Sequence, residues 1–416
     1  QEKAAEPVAL VRVHLPLTGN SDQVLRKRLL RTRDQLLTVA SAQKSDSRPL
    51  LVLELSPHQE DVNVSDGSLF ERAYSLARFV SSREMAGVKT VAFVPRSVRG
   101  HSVLLAFACE EIVMAPEALL GSETVDQQAG DVSQTTLAGY REIADVRRTI
   151  PTALAVGMID PQTAVLQIET ETGIEFILQQ DLDEFAAVRE IVSQELLVPA
   201  GTSAEFDGRE GRQFGFVKYL ASSHQALAKA YSISPEMLEE DQARMTDWKP
   251  VIVDVQGKIT SKVAGQVESL LGTSLESGEV NWVGIRIDSA GGDLEASLRL
   301  ATTLASLDAN AVQTVAYVPS EAVGGAALVA LSCDRLVMHP AARLQASSQS
   351  LAEEDRLAVE SSLSESLAPK TSHSWSLLGA MVDPEIVLLE YQNKLSGTKR
   401  IMSGDEMTAL PDALNW

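Results

Sequence analysis

VAYVPSEAVGGAALVALSCDRLVMHPAARLQ, residues 315–345, decides the fold, because residues 91–121 repeat it without a gap as VAFVPRSVRGHSVLLAFACEEIVMAPEALLG. Residues that punctuate secondary structure keep their places in both copies: Pro95 matches Pro319, and Gly100 matches Gly324. An ungapped match of this length, prolines and glycines included, predicts two tandem copies of one domain. Function must therefore be judged separately for each copy.

Strand-like and helix-like segments alternate through both copies. In copy one, apolar and β-branched runs predict strands at 9–17, 49–57 and 90–95, and helical spacing predicts helices at 22–43 and 69–82. Copy two repeats this order, with a strand at 249–257, a strand that runs into a glycine turn at 282–293, and helices at 262–277 and 294–307. This alternation predicts an α/β fold with mainly parallel sheets.

Two related phrases follow the two cores, VGMIDPQTAVLQ at 156–167 and GAMVDPEIVLLE at 379–390. They extend the repeat beyond its best-matched stretch and align Asp160 with Asp383. We predict four segments: a polar N-terminal tail at 1–7, domain 1 at 8–236, an acidic linker at 237–248 and domain 2 at 249–416.

Composition excludes several classes of function. The net charge of −21 opposes binding to nucleic acid, because polyphosphate repels such a surface. No apolar stretch reaches the roughly 20 residues that span a bilayer, so a membrane tether is expected only outside this chain. Cys109 and Cys333 occupy equivalent places in apolar runs and are predicted to be buried small hydrophobes, and the histidines show no ligand spacing. We expect no metal site.

The runs IDSAGGDLEASLRLA at 287–301 and AVGGAALVALSCDRLVMHP at 322–340 resemble the Clp protease/crotonase superfamily. Within it, the resemblance is closest to the signal peptide peptidase A and NfeD-type membrane serine proteases. It implies two tandem domains of the ββα-spiral type. In those proteases, a D-S-x-G-G turn supplies backbone N–H groups to an oxyanion hole, and an A-S-x-G turn carries the nucleophilic serine at the start of a helix.

The glycine turn of copy two has a physical rationale of its own. Gly291 and Gly292 can adopt positive φ and leave room for a carbonyl to approach the main chain. N–H groups at the start of the following helix favour developing negative charge. The candidate binding residues are Gly291, Gly292, Asp293 and Gly325, and the alternative is that the glycines merely form a tight turn.

Copy one departs from this pattern. It has Gln59 and Glu60 where copy two has the two glycines, and a carboxylate there would oppose an oxyanion. Copy one is therefore predicted to be non-catalytic.

The nucleophile is missing from both copies. The family spacing places it at Gly324 in copy two and at Gly100 in copy one, and glycine has no attacking group. Ser320 is the alternative nucleophile of copy two. His101 and Ser102 adjoin Gly100, but neighbours on a helix point in different directions.

The base is missing too, although a serine nucleophile needs an adjacent histidine or lysine. The Clp-type histidine would fall near Gln349, and no histidine occurs there. For the lysine of the NfeD-like branch, Lys370 is the candidate, because it is the only lysine between Lys262 and Lys394, although it lies a little late.

These observations favour a non-catalytic pseudo-peptidase, without a cofactor, that binds peptide or protein partners at the cell envelope. Two alternatives remain open. One is an active membrane-associated serine peptidase with a displaced nucleophile, and the other is a crotonase-type thioester enzyme using Asp293 or Glu295. The resemblance further implies a homo-oligomer. The polar start at Gln1 fits either an arbitrary start or removal of a signal peptide, and together with the resemblance it suggests an exported, periplasmic or membrane-associated protein.

Overall fold

A computed structural model describes residues 7–43, 47–57, 67–121, 132–238, 248–276, 280–371, 373–394, 399–410 and 413–416. The chain divides into two compact units, Gln1–Met245 (unit one) and Thr246–Trp416 (unit two). Most of the predicted linker, 239–247, lies outside the described residues, so its boundaries stay a prediction.

Unit one is built on a five-stranded sheet in the order β1-β2-β3-β4-β10, in which every neighbouring pair is parallel. Its strands are β1 (Val8–Leu15), β2 (Leu50–Pro57), β3 (Lys89–Val94), β4 (Glu111–Met114) and β10 (Val217–Leu220). The helices between them are α1 (Ser21–Gln43), α2 (Phe70–Val80) and α3 (Val103–Ala108). The buried run of β2 is typical of a strand covered on both faces.

Unit two repeats this plan with a four-stranded parallel sheet in the order β11-β12-β13-β15. Its strands are β11 (Pro250–Gln256), β12 (Trp282–Asp288), β13 (Gln313–Val318) and β15 (Arg335–Met338). The helices are α9 (Ser261–Glu276), α10 (Leu294–Ala305), α11 (Gly325–Leu331) and α12 (Glu353–Ser362). The predicted α/β fold with mainly parallel sheets is confirmed.

Each sheet strand of unit two is followed by a shorter extended segment that belongs to a second layer. These segments pair in parallel: Ile259 with Gly292, Ser289 with Ala322, and β14 (Glu321–Val323) with β16 (Arg343–Gln345). Each turn of the chain thus adds a long strand, a short strand and a helix. The glycine turn lies in this second layer.

In unit one, the corresponding bridge joins Val98 to Leu120 of β5 (Leu119–Gly121), which also pairs with β9 (Glu205–Asp207).

An arm follows each core. In unit one, α4 (Gln134–Arg147) and α5 (Thr152–Gly157) lead into a three-stranded antiparallel sheet with β6 in its centre. The rest of that unit comprises β6 (Val165–Thr170), β7 (Gly173–Leu178), α6 (Leu182–Val188), β8 (Ile191–Val198), α7 (Gly208–Gln213) and α8 (His224–Tyr231). In unit two, α13 (Trp375–Val382) leads into a two-stranded ribbon of β17 (Leu389–Gln392) and β18 (Lys399–Met402), followed by α14 (Gly404–Ala409). The second arm is therefore shorter.

No helix within the described ranges is both long and apolar enough to span a lipid bilayer.

Candidate functional site

The glycine turn of unit two is locked by main-chain hydrogen bonds on both sides. After β12, Ser289 donates its N–H to Glu321 O at 3.0 Å and accepts Val323 N–H at 3.1 Å. Gly291 adopts φ +96°, a conformation that favours glycine, and its own N–H donates to Ser289 Oγ at 3.2 Å. The Gly291 amide is therefore already engaged within the protein.

Gly292 is glycine because the protein's own backbone approaches it. A Cβ there would collide with the backbone N and O of Ile259. Ile259 N–H donates to Gly291 O at 3.0 Å, and Asp293 N–H donates to Ile259 O at 2.7 Å. From the sequence we expected a ligand carbonyl to approach this glycine closely. In the structure the backbone of Ile259 makes that close approach.

The same pairing leaves one amide of the turn available. Ile259 is bonded to Gly291 O and to Asp293 N–H, the groups on either side of Gly292. In such a parallel pairing the intervening residue directs its own N–H away from the partner strand, so the Gly292 amide points away from Ile259. Gly292 is exposed and, among the described residues, its N–H makes no hydrogen bond. This N–H can therefore donate to an incoming carbonyl.

Asp293 is the N-cap of α10. Its side chain accepts Ala296 N–H at 2.8 Å, which satisfies one of the orphan donors of the first turn. Its backbone O also accepts Ser297 Oγ–H at 2.8 Å. The predicted binding role of Asp293 is thus accompanied by a structural one.

Gly324, at the nucleophile position, connects β14 to α11 with φ 58° and ψ −120°. Sharp strand-to-helix turns of this kind present a nucleophile in some hydrolases. Its N–H donates to Gln345 O at 2.9 Å, and a Cβ would lie 3.5 Å from the Cβ of Ser347. The space could accept a small side chain, but the left-handed backbone favours glycine.

Gly325 is required by helix packing. A Cβ at this first residue of α11 would collide with the hydroxyl of Ser297 on α10, which is fully buried. Its N–H belongs to the first helical turn and makes no hydrogen bond among the described residues. A Cβ at Gly291 would lie 3.0 Å from Val323 O, so the glycine turn is next to the residue that precedes Gly324.

Ser347 is the side chain next to Gly324, and sequence analysis did not single it out. Its hydroxyl donates to Gln349 O and accepts Gln349 N–H, both at 3.1 Å, and its N–H donates to Met381 O at 2.7 Å. The only sequence signal was the expected histidine position nearby at Gln349. The Ser347 hydroxyl bonds to main chain and has no base beside it among the described residues.

Ser320 lies at the other end of β14 from Gly324. Its exposed hydroxyl is 3.3 Å from Asp288 Oδ2, and its carbonyl accepts Arg343 N–H. Gly324 is four positions further along this extended segment, about 13 Å at about 3.3 Å per residue. Ser320 therefore adjoins the start of the glycine turn and is not held over Gly292.

Lys370 does not reach the site. Its ammonium donates to the hydroxyl of Ser306 at 2.9 Å, and Ser306 is the C-cap of α10. Asp293 caps the other end of this 12-residue helix, about 18 Å away at 1.5 Å per residue. Lys370 therefore does not serve as a base at this turn.

Unit one fills the corresponding region with buried polar side chains. Gly100 has φ +65° and begins a 3-10 turn leading into α3. His101 Nδ1 lies 3.2 Å from the Tyr140 hydroxyl, whereas Ser102 Oγ lies 2.6 Å from Ser68 Oγ. His101 and Ser102 thus have different partners, as expected for neighbours on a helix.

Arg99 adds an ion pair with Glu205 at 2.5 Å in the same region of unit one. Gln59 and Glu60, which align with the two glycines of unit two, lie outside the described residues.

No group of three or more potential metal ligands occurs among the residues that the structure describes.

No protein-family model and no curated protein matches the chain. Among solved structures, the chain is similar to the 1510-N membrane-bound stomatin-specific protease in two forms. A lysine-to-alanine mutant in complex with a substrate peptide has 12% sequence identity and a TM-score of 0.31, and the match covers 55% of this chain and 81% of that one. A serine-to-alanine mutant has 12% identity and a TM-score of 0.32, covering 56% and 91%. The similarity to this protease thus extends over about half of the chain.

Proposed function

We propose that this protein is a non-catalytic relative of the NfeD and signal peptide peptidase A-type serine proteases that binds extended peptides or protein segments at the cell envelope. The observation that carries the proposal is Gly324, which occupies the nucleophile position in a left-handed conformation. The hydroxyl next to it, that of Ser347, is bonded to the main chain of Gln349, and among the described residues it makes no hydrogen bond to a histidine or a lysine.

Peptide binding needs less than peptide cleavage. A peptide added as a strand is held by main-chain hydrogen bonds, which require donors and acceptors but no nucleophile. The exposed Gly292 amide and the first-turn amide of Gly325 are suitable donors. In this mechanism the turn orients a peptide carbonyl and the bond stays intact, because no hydroxyl is activated to attack it.

The stomatin-specific protease binds a substrate peptide, and we propose a peptide as the ligand class of this protein too. A homo-oligomer and an exported or membrane-associated location are part of the proposal. Sedimentation equilibrium of the purified protein and fractionation of the source cells test these two points.

The decisive experiment measures binding and cleavage together. A fluorescein-labelled nonapeptide of alternating valine and serine should raise fluorescence anisotropy on binding and stay intact by mass spectrometry. Its twin, N-methylated at alternate residues, should bind at least about tenfold more weakly, because it lacks main-chain donors. Equal binding of both peptides, or none of the first, contradicts the proposal.

A fluorophosphonate probe tests the competing peptidase hypothesis, for which the Ser320–Asp288 contact is the specific observation. We expect no labelling of the wild-type protein. Labelling that disappears in Ser320→Ala would establish a displaced nucleophile and overturn the proposal.

A further inference from the structure

A second candidate site lies in the arm of unit two, away from the glycine turn. A partly open cavity of about 320 Å³ lies between α12, α13 and the start of α14. Its apolar wall consists of Leu351, Val359, Leu363, Trp375, Val382 and Ile386. Such a cavity is large enough for one or two apolar side chains.

Carboxylates dominate the polar part of the same cavity. Among the described residues, Arg356 is the one cation that lines it, and its Nε donates to the buried carboxylate of Asp383 at 2.7 Å. Glu360, Glu385 and Asp405 also line it, so the cavity carries excess negative charge. Because Arg356 is committed to Asp383, the electrostatic preference is for a cationic ligand.

The ribbon beside this cavity exposes apolar side chains. Val387, which lines the cavity, is 69% exposed, and Leu389 on β17 is 52% exposed. Their counterparts in the repeated phrase of unit one, Ala164 and Leu166, are 5% and 7% exposed. One phrase is thus buried in the first unit and exposed in the second.

The cause of this difference is the number of strands. In unit one, β6 lies between β7 and β8 and is paired along both edges. In unit two, β17 pairs with β18, and its other edge has no strand partner among the described residues. An unpaired edge offers a row of main-chain donors and acceptors to an extended segment.

From these features we infer that the arm of unit two is a docking site for an extended segment of a partner protein in which apolar residues alternate with lysine or arginine. The segment adds a strand beside residues 389–391 of β17, on the side away from β18. Its apolar side chains cover Val387 and Leu389 and enter the cavity, and its basic side chains meet Glu360 and Asp405. The residues of this site do not include Gly292, Gly324 or Gly325, and the inference does not depend on the proposed function.

Two labelled heptapeptides test the inference with the full chain. The basic probe alternates lysine with valine and leucine, and the acidic probe replaces each lysine with glutamate. We expect the basic peptide to bind at least about tenfold more tightly, with an affinity that falls as salt rises. A basic peptide with a central proline should bind more weakly, because proline lacks the N–H that a strand needs.

Paired variants locate the site. Leu389→Asp should weaken binding of the basic peptide about tenfold, whereas Val192→Asp, at an equally exposed strand position of the arm of unit one, should not. The double variant Glu360→Lys, Asp405→Lys should also weaken binding of the basic peptide about tenfold. Its charge-matched control is the double variant Glu171→Lys, Glu190→Lys in unit one. Unchanged melting temperatures show that the variants are folded.

Three results would overturn the inference: equal binding of the basic and acidic peptides, equal loss in the control variants, or wild-type affinity in Leu389→Asp. A fourth is a wild-type dimer that Leu389→Asp converts to a monomer, because the surface would then belong to a second copy of this chain.

Discussion

The sheets of the two units share four parallel strands in the same order. One face of these strands is buried in unit one and exposed in unit two. On one face of the unit-one sheet, Leu10, Phe93 and Val113 are at most 1% exposed, because α8 and the segment around Leu238 pack over them. Register places Ile252, Tyr317 and Val337 at the same points of unit two, where they are 68%, 38% and 48% exposed. A shared strand pattern therefore does not determine whether the second face of a sheet is buried.

The largest expected effect comes from placing a charge on this face in each unit. Leu10→Asp should destabilise unit one by about 3 kcal/mol or more, because a carboxylate replaces a fully buried side chain. Ile252→Asp should change the stability of unit two by less than about 1 kcal/mol. Hydrogen exchange followed by mass spectrometry reports on each unit separately, and equal losses of protection would contradict the comparison.

The glycines of the site offer a second, smaller contrast. Gly292→Ala should cost about 2–4 kcal/mol, because its methyl group meets the main chain of Ile259, which cannot move away. Gly324→Ala should cost about 1–2 kcal/mol, because only the left-handed backbone is strained. Urea unfolding measures both, and the reverse order would be evidence against the described turn.

Gly324→Ser tests whether a hydroxyl at this position is enough to give the reactivity of a serine peptidase. The new hydroxyl would lie beside Ser347, which has no base to share. We expect no fluorophosphonate labelling above the wild-type background, since an unactivated serine is a poor nucleophile. Rapid labelling of this variant would reveal a base that the described residues do not show.

Cys109 and Cys333 lie at equivalent positions of the two units, and we expect their thiols to have the same reactivity. Burial raises the pKa of both Cys109 and Cys333 to about 12. Both thiols should resist a disulfide reagent at pH 8 in the native protein and react once it is unfolded.

The same cysteines make stability depend on pH. A pKa that is higher in the folded state means that the unfolded thiol ionises first. Their contribution is therefore fully present below the ordinary pKa of 9.0 and is lost as pH rises toward 12. Stability that rose across this range in the wild type, relative to an alanine variant, would contradict buried, protonated thiols.

Local sequence predicted much of the fold but little of the packing around the site. The alternation of strands and helices, and the positive φ at Gly291, followed from apolar runs and glycine placement. The partner of Gly292 could not be predicted, because Ile259 belongs to another turn of the spiral. Spacing makes Lys370 the candidate base, although it lies a little late, and in the structure the length of α10 separates it from the turn.

The polar cluster of unit one was also beyond prediction. His101 meets Tyr140, and Ser102 meets Ser68, across sequence separations that a repeat pattern does not encode. Likewise, Val387 is exposed beside a ribbon that has two strands among the described residues, although the phrase that contains Val387 resembles its buried counterpart.

The strand order of unit one has a consequence for how it folds. Its fifth strand, β10, pairs with β4 only after the whole arm has intervened in the chain. At a synthesis rate of roughly 5–20 residues per second, about 100 residues are added after β4 before β10 is available to pair with it. The four strands that the structure describes in the unit-two sheet are all present by Met338. The unit-one sheet should therefore be completed late in folding, because long-range closure slows folding.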